Sequence, residues 1–225
     1  MALTYREYPE PGEEATLTGL RERKKQRTRD ALVVAAHELF VTQGYETTTV
    51  DQIAEAVDVS QRTFFRYFAN KEEVALFVQD MVERFYYEAV CARPAGEAPL
   101  ECLRNTLDDI WDDVGAAVEE ITPIDLHLKM CQVIEMTPAL LAARLRHSLL
   151  LEEKLVQEMA RRTGVDADKD PRPRVLVAAF TGVTLTASRQ WSMRNDASLA
   201  MAREVTRDYL AQLGPALCAD WTRQS

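Results

Sequence analysis

The stretch from Thr49 to Glu73, TVDQIAEAVDVSQRTFFRYFANKEE, constrains this chain more than any other. Thr49 followed three residues later by Gln52 is a capping box, in which each side chain satisfies a backbone N–H at the start of a helix. Val50, Ile53, Ala54 and Val57 then recur at helical spacing as one apolar stripe. Asp58 closes that helix where a tight turn needs left-handed backbone, which Asp tolerates. Ser60 caps a second helix running from Gln61 to about Phe68, and Asn70 with Glu73 caps a third. Two short helices joined by so tight a turn form a helix-turn-helix, whose second helix fits a DNA major groove.

The second helix sorts its residues by face. Val59, Phe64 and Phe68 fall on the side expected to be buried, leaving Gln61, Arg62, Thr63, Arg66 and Tyr67 outside. Arg suits guanine edges and Gln adenine edges, whereas Thr and Tyr hydroxyls suit phosphate oxygens. Lys71 falls at a helix N-terminus, where a cation and free N–H groups together attract phosphate.

These residues resemble the DNA-binding domain of the TetR/AcrR family of transcriptional regulators. The likeness begins upstream at Arg27-Thr28-Arg29-Asp30-Ala31-Leu32 and runs through Leu39-Phe40 and Gly44-Tyr45 to Lys71-Glu72. It implies an all-α homodimer with an N-terminal three-helix helix-turn-helix domain and a C-terminal helical domain for ligand binding and dimerisation. Placed on this chain, that gives a disordered tail over 1–19, a DNA-binding domain over 20–69 and an effector-binding and dimerisation domain over 70–225. The DNA contacts expected are Arg27, Thr49, Gln61, Arg62, Thr63, Phe65, Arg66, Tyr67 and Lys71. Two positions depart from the pattern. Asp58 replaces a usual Gly, and Phe65 replaces a Tyr, so its ring can pack on sugar or a thymine methyl without donating a hydroxyl.

A net charge of −9 looks wrong for a DNA-binding protein until it is divided along the chain. Residues 1–17 carry −3 and residues 72–225 carry −8, but residues 18–71 carry +2. Six of the nine residues from Arg21 to Arg29 are Lys or Arg. An acidic remainder repels DNA and leaves one basic face for docking. The N-terminus lacks the apolar core of a signal peptide, and the longest uncharged run, Val175 to Ser188, is too short to span a bilayer. A cytoplasmic, membrane-free protein is expected, with Cys91, Cys102, Cys131 and Cys218 as reduced, buried thiols.

Beyond Asn70 the chain reads as successive helices punctuated by Pro and Gly: to Cys91, then Pro99–Glu120, Pro123–Glu135, Pro138–Thr163, Arg174–Ser192 and Ala197–Leu217. The last two carry much apolar surface, including Val175, Leu176, Phe180, Val183, Trp191, Leu199, Tyr209, Leu210 and Leu213 around the small pair Ala178 and Gly182. They are expected to form the homodimer contact, so that two recognition helices meet a palindromic operator. Trp111, His127, Met130, Cys131, Phe180, Thr184, Ser188 and Trp191 mix apolar bulk with isolated polar groups and are candidate effector contacts. The stretches Arg144–His147 and Glu152–Lys154 read as ordinary helix surface. Glu135, Thr137-Pro138, Arg144, Glu152-Glu153 and Trp191 resemble the actinobacterial subgroup that includes mycofactocin-type regulators.

No metal-binding His pattern, nucleophile elbow or phosphate-binding glycine loop occurs, so neither enzyme activity nor a cofactor is expected. The expected function is a ligand-responsive regulator, a repressor released from its operator by a small hydrophobic effector. The alternative is an effector-independent or architectural dimer whose C-terminal domain serves only dimerisation.

Overall fold

The computed structural model describes residues 11–194 and 198–218, with the backbone alone over 11–20 and at Leu217. All the elements described are α-helices. The first, α1 (Pro11–Gln43), leads to α2 (Val50–Ala56), α3 (Gln61–Phe65) and α4 (Lys71–Ala92). They are followed by α5 (Pro99–Asp109), α6 (Trp111–Glu119), α7 (Ile124–Met136) and α8 (Pro138–Thr163). The long α9 (Arg172–Ser192), α10 (Leu199–Ala211) and the short α11 (Pro215–Cys218) complete the fold.

The helix ends follow local chemistry. Thr49 and Gln52 form the complete capping box of α2. Ser60 accepts the Thr63 N–H at the start of α3, and Asn70 accepts the Glu73 N–H at the start of α4. Gly44 ends α1 at φ 91° and Gly164 ends α8 at φ 68°, both left-handed conformations that glycine adopts without steric cost. Asp58 adopts φ 53° between α2 and α3, as the tight turn requires.

Four boundaries depart from the sequence reading. Residues 1–10 of the expected disordered tail lie outside the described residues, but 11–19 are helical, continuous with α1. Pro11 has the fixed φ of a helix start. The recognition helix stops at Phe65 and closes through bonds from the Tyr67 and Phe68 N–H groups to the Phe64 carbonyl. The expected helix over 99–120 is broken at Ile110, which lies at ψ −2° while its side chain is buried in the core. The last expected helix ends at Ala211, because Gly214-Pro215 interrupts it.

The interior has two main apolar clusters. Leu32, Val33, Ala36 and Phe40 of α1 pack with Ile53, Phe64, Phe68 and Leu76, and the same cluster continues into Met130, Ile134 and Leu140. The helix-turn-helix therefore shares its core with α7 and α8 rather than standing apart. The second cluster joins α4, α5, α8 and α9 through Tyr86, Val90, Leu103, Leu155, Met159 and Phe180. Tyr86 and Phe180 stack at 6.2 Å, and the Tyr86 hydroxyl donates to the Leu103 carbonyl at 3.0 Å. Cys102 and Cys131 are buried as expected, whereas Cys91 and Cys218 are exposed. No described helix is long and apolar enough to cross a membrane.

Candidate nucleic-acid interface and effector chamber

Buried Phe64 and Phe68 anchor α3 from below, with ring centroids 5.7 Å apart. Anchoring that face turns the opposite one outward. Gln61, Arg62 and Arg66 are exposed, and so is Phe65 at 49%, a high value for a large aromatic ring with no solvent-facing role. Gln61 and Arg62 make no side-chain bond to any described residue. Arg66 lies 5.1 Å over the Tyr67 ring, which holds it beside α3. Thr49 and Thr63 are more committed: the first caps α2, and the second pairs its hydroxyl with Ser60 at 3.0 Å.

Lys71 departs from the expectation of a phosphate contact. Its ammonium donates to the carbonyls of Tyr45 at 2.8 Å, Thr48 at 3.2 Å and Glu46 at 3.4 Å. It also lies 4.2 Å above the Tyr45 ring. The free carbonyls of the α1–α2 turn outcompete solvent for this cation, so Lys71 clamps the start of α4 to the helix-turn-helix. Arg21 to Arg27 form an exposed, basic length of α1. Arg29 at its root lies 4.7 Å over Phe77, which meets Phe68 at 5.6 Å. The basic length thus emerges beside the end of α3.

Behind this surface, helices α4 to α10 enclose two adjoining cavities of about 210 and 140 Å³. They share Gln79, Val82, Tyr86, Leu107, Trp111, Ser188 and Trp191, so they form one divided chamber. Phe180 and Thr184 line the larger part, and His127 and Cys131 line the smaller. Seven of the eight candidate effector residues therefore converge. Met130 does not: it is 1% exposed and belongs to the core shared with α1. Burial pushes the His127 imidazole down to about 4 and the Cys131 thiol up to about 11, so both are uncharged at neutral pH.

The sequence reading missed the polar frame of the chamber. Arg144 and Glu135, with side chains 6% and 4% exposed, form an ion pair beneath it. Arg144 also donates to Ser188 Oγ at 3.1 Å, and Arg189 reaches the second Glu135 oxygen at 3.1 Å. Arg146 pairs with Glu72 at 3.0 Å, His147 Nδ1 with Asp80 at 2.7 Å, and Ser148 Oγ donates to Glu83 at 3.2 Å. Glu152 accepts from Thr181, and Glu153 pairs with Arg174. Arg144, His147, Ser148 and Glu152 thus sit in seams of α8 against α4, α7 and α9, whereas Leu145, Arg146, Glu153 and Lys154 are exposed, as the reading of these stretches as helix surface expected.

On the outer side, α9 and α10 flank an apolar groove of about 750 Å³ lined by Ala178, Gly182, Val183, Tyr209 and Leu213. Val175 is 65% exposed at one end. Phe180, Trp191 and Leu210, expected on this face, point instead into the core.

A two-helix DNA reader fused to a helical domain with an internal chamber defines a class of transcription regulator. Residues 32–77 match the family model of bacterial regulatory proteins of the tetR family, and residues 108–217 match that of the MftR C-terminal domain. The chain is 45% identical over 205 residues to the HTH-type transcriptional regulator TcmR of Streptomyces glaucescens, covering 91% of both chains. It therefore belongs to the TetR family of DNA-binding transcriptional regulators. Among solved structures it resembles the TetR-family repressor FadR of Thermus thermophilus in complex with lauroyl-CoA, with 24% identity, a TM-score of 0.51, and 88% and 97% of the chains covered. A TetR/AcrR-family regulator from Aquifex aeolicus aligns at 14% identity with a TM-score of 0.50, over 83% and 99% of the chains. These relatives are regulators rather than enzymes.

Proposed function

We propose that this protein is a ligand-responsive repressor that binds a palindromic operator as a homodimer and leaves it when a small hydrophobic molecule enters the chamber. One observation carries the reading: α4 supplies both the chamber wall, through Gln79, Val82, Glu83 and Tyr86, and the Lys71 clamp on the helix-turn-helix. An occupant that displaces α4 must then displace α2 and α3. The ligand shifts DNA affinity only by its differential affinity for the two arrangements.

Gln61, Arg62, Phe65, Arg66 and Tyr67 read and position the major groove, with Thr49 and Thr63 at its edge and Arg27 on flanking phosphate. The domains divide at about 69/70, where Asn70 caps α4, and the C-terminal unit dimerises through the α9–α10 groove. Small residues at Ala178 and Gly182 allow the partner's helix to approach closely. The complex of FadR, a protein of similar fold, with lauroyl-CoA supports an apolar occupant.

The test is fluorescence anisotropy with DNA from the protein's own promoter region, titrated across salt, with wild type beside Arg62→Ala. A direct base contact predicts a loss of about 1–3 kcal/mol at one position of the operator. A folded dimer that binds no fragment even at low salt refutes the reading.

A further inference from the structure

We propose that the chamber opens into an anion-binding subsite formed by Arg104, Arg203 and Arg207, so that its occupant is an apolar molecule carrying a carboxylate or similar oxyanion. The inference rests on the reading of the chamber as the effector site. A third cavity of about 180 Å³ lies between α5 and α10 and is lined by these three arginines, Asp108, Trp111 and Thr206. Leu107, Trp111 and Thr206 also line the larger part of the chamber, so the two spaces are neighbours across these side chains.

The new cavity is rich in donors and poor in acceptors. The Nε–H groups of Arg104 and Arg203 and the indole N–H of Trp111 are buried without a hydrogen-bond partner. Buried N–H groups are rarely left unmade, because each then loses its water without compensation. The three residues that carry them all line one space. The arginines also outnumber their counter-ions. Arg207 pairs with the Asp108 carboxylate at 3.0 Å, and Arg203 reaches the exposed Asp112 at 3.5 Å while donating to the Asp108 carbonyl at 3.2 Å. Arg104 makes no ion pair with any described residue and donates only to the Leu210 carbonyl.

A planar oxyanion answers both deficits. It offers two or more acceptors, it neutralises Arg104, and guanidinium forks match its geometry. Water could fill the space but would leave the charge unanswered. The walls behind it, Trp111, Trp191, Phe180 and Tyr86, take an aromatic body. The chamber and the subsite together thus fit an amphipathic acid, and Trp111 stands at the junction of its two halves.

Isothermal titration calorimetry of the full chain with 2-naphthoate and with methyl 2-naphthoate tests this, with inorganic phosphate as a competitor. The two probes share the ring system and differ in charge. The expected result is that the acid binds about tenfold tighter than its ester. Phosphate should weaken the acid alone, and Arg104→Gln should bring the acid to the affinity of the ester. Equal binding of both probes by wild type overturns the anion subsite while leaving the chamber intact. An acid preference that survives in a folded Arg104→Gln protein overturns the assignment to these arginines. If neither probe binds, the effector chamber itself falls and the subsite with it.

Discussion

Lys71→Met separates two roles for a cation at the start of α4. The substitution keeps the length and apolar stem of the side chain and removes its charge. The ammonium hydrogen bond to the Tyr45 carbonyl at 2.8 Å is charge-assisted, a type that contributes about 1.5–3 kcal/mol. Its position over the Tyr45 ring adds about 0.5–1 kcal/mol at a partly exposed site. The longer bonds to Thr48 and Glu46 draw on the same three protons and add less. A loss of about 2–4 kcal/mol in unfolding free energy is therefore expected. It should be measured by urea denaturation at one fixed protein concentration, because dimers unfold with a concentration-dependent midpoint. Operator affinity should fall as well, since the α1–α2 turn loses its anchor. The slope of log K against log salt should stay unchanged. A phosphate contact predicts the reverse: unaltered stability and a slope smaller by about 0.9. That result would refute the clamp and return Lys71 to the DNA surface.

Further expectations follow from the same geometry. Neutralising Arg21, Arg23, Lys24 and Lys25 should lower the salt slope of operator binding by about 0.9 for each phosphate released, provided the duplex extends beyond the half-sites. Glu135→Ala leaves Arg144, 5% exposed, without its carboxylate and should cost about 3–5 kcal/mol, whereas replacing both partners with apolar residues should recover most of the loss in thermal denaturation. Asp58→Val forces a β-branched residue into the left-handed turn and should cost about 1–2 kcal/mol; Asp58→Gly should be neutral or stabilising by the same melting assay. Burial, with His127 nearby, holds His37 down to about 3, and burial holds His127 down to about 4. Both folded values lie below that of the unfolded chain. Their contribution is therefore complete above about pH 6.5 and is lost as pH falls, toward 4 for His127 and toward 3 for His37, at about 1.4 kcal/mol per pH unit for each histidine. His37→Leu should flatten that decline, and a melting temperature indifferent to pH across the window would exclude the linkage.

What the sequence determined by itself lies within short spans. Capping side chains act over three residues, and a tight turn over four. The caps at Thr49, Ser60 and Asn70, the left-handed Asp58 and the outward row from Gln61 to Arg66 were therefore all legible from residue types and spacing. The buried faces of α2 and α3 followed from a period of 3.6 residues. The break at Ile110 was not legible, because nothing local forbids helix there and only burial of that side chain in the core between α5 and α6 imposes it. The direction of Lys71 was decided by carbonyls more than twenty residues upstream. Which residues of α7 and α9 face the chamber depended on neighbours far along the chain. Met130 looked like its neighbour Cys131 until α1 covered it, and Phe180 and Trp191 looked like dimer surface until α4 and α7 did the same. Arg144 carried no sign of burial because its compensation came from Glu135 on another helix. Local hydrogen bonding is written in the order of residues, whereas the solvent a side chain loses is set by whichever distant helix packs upon it.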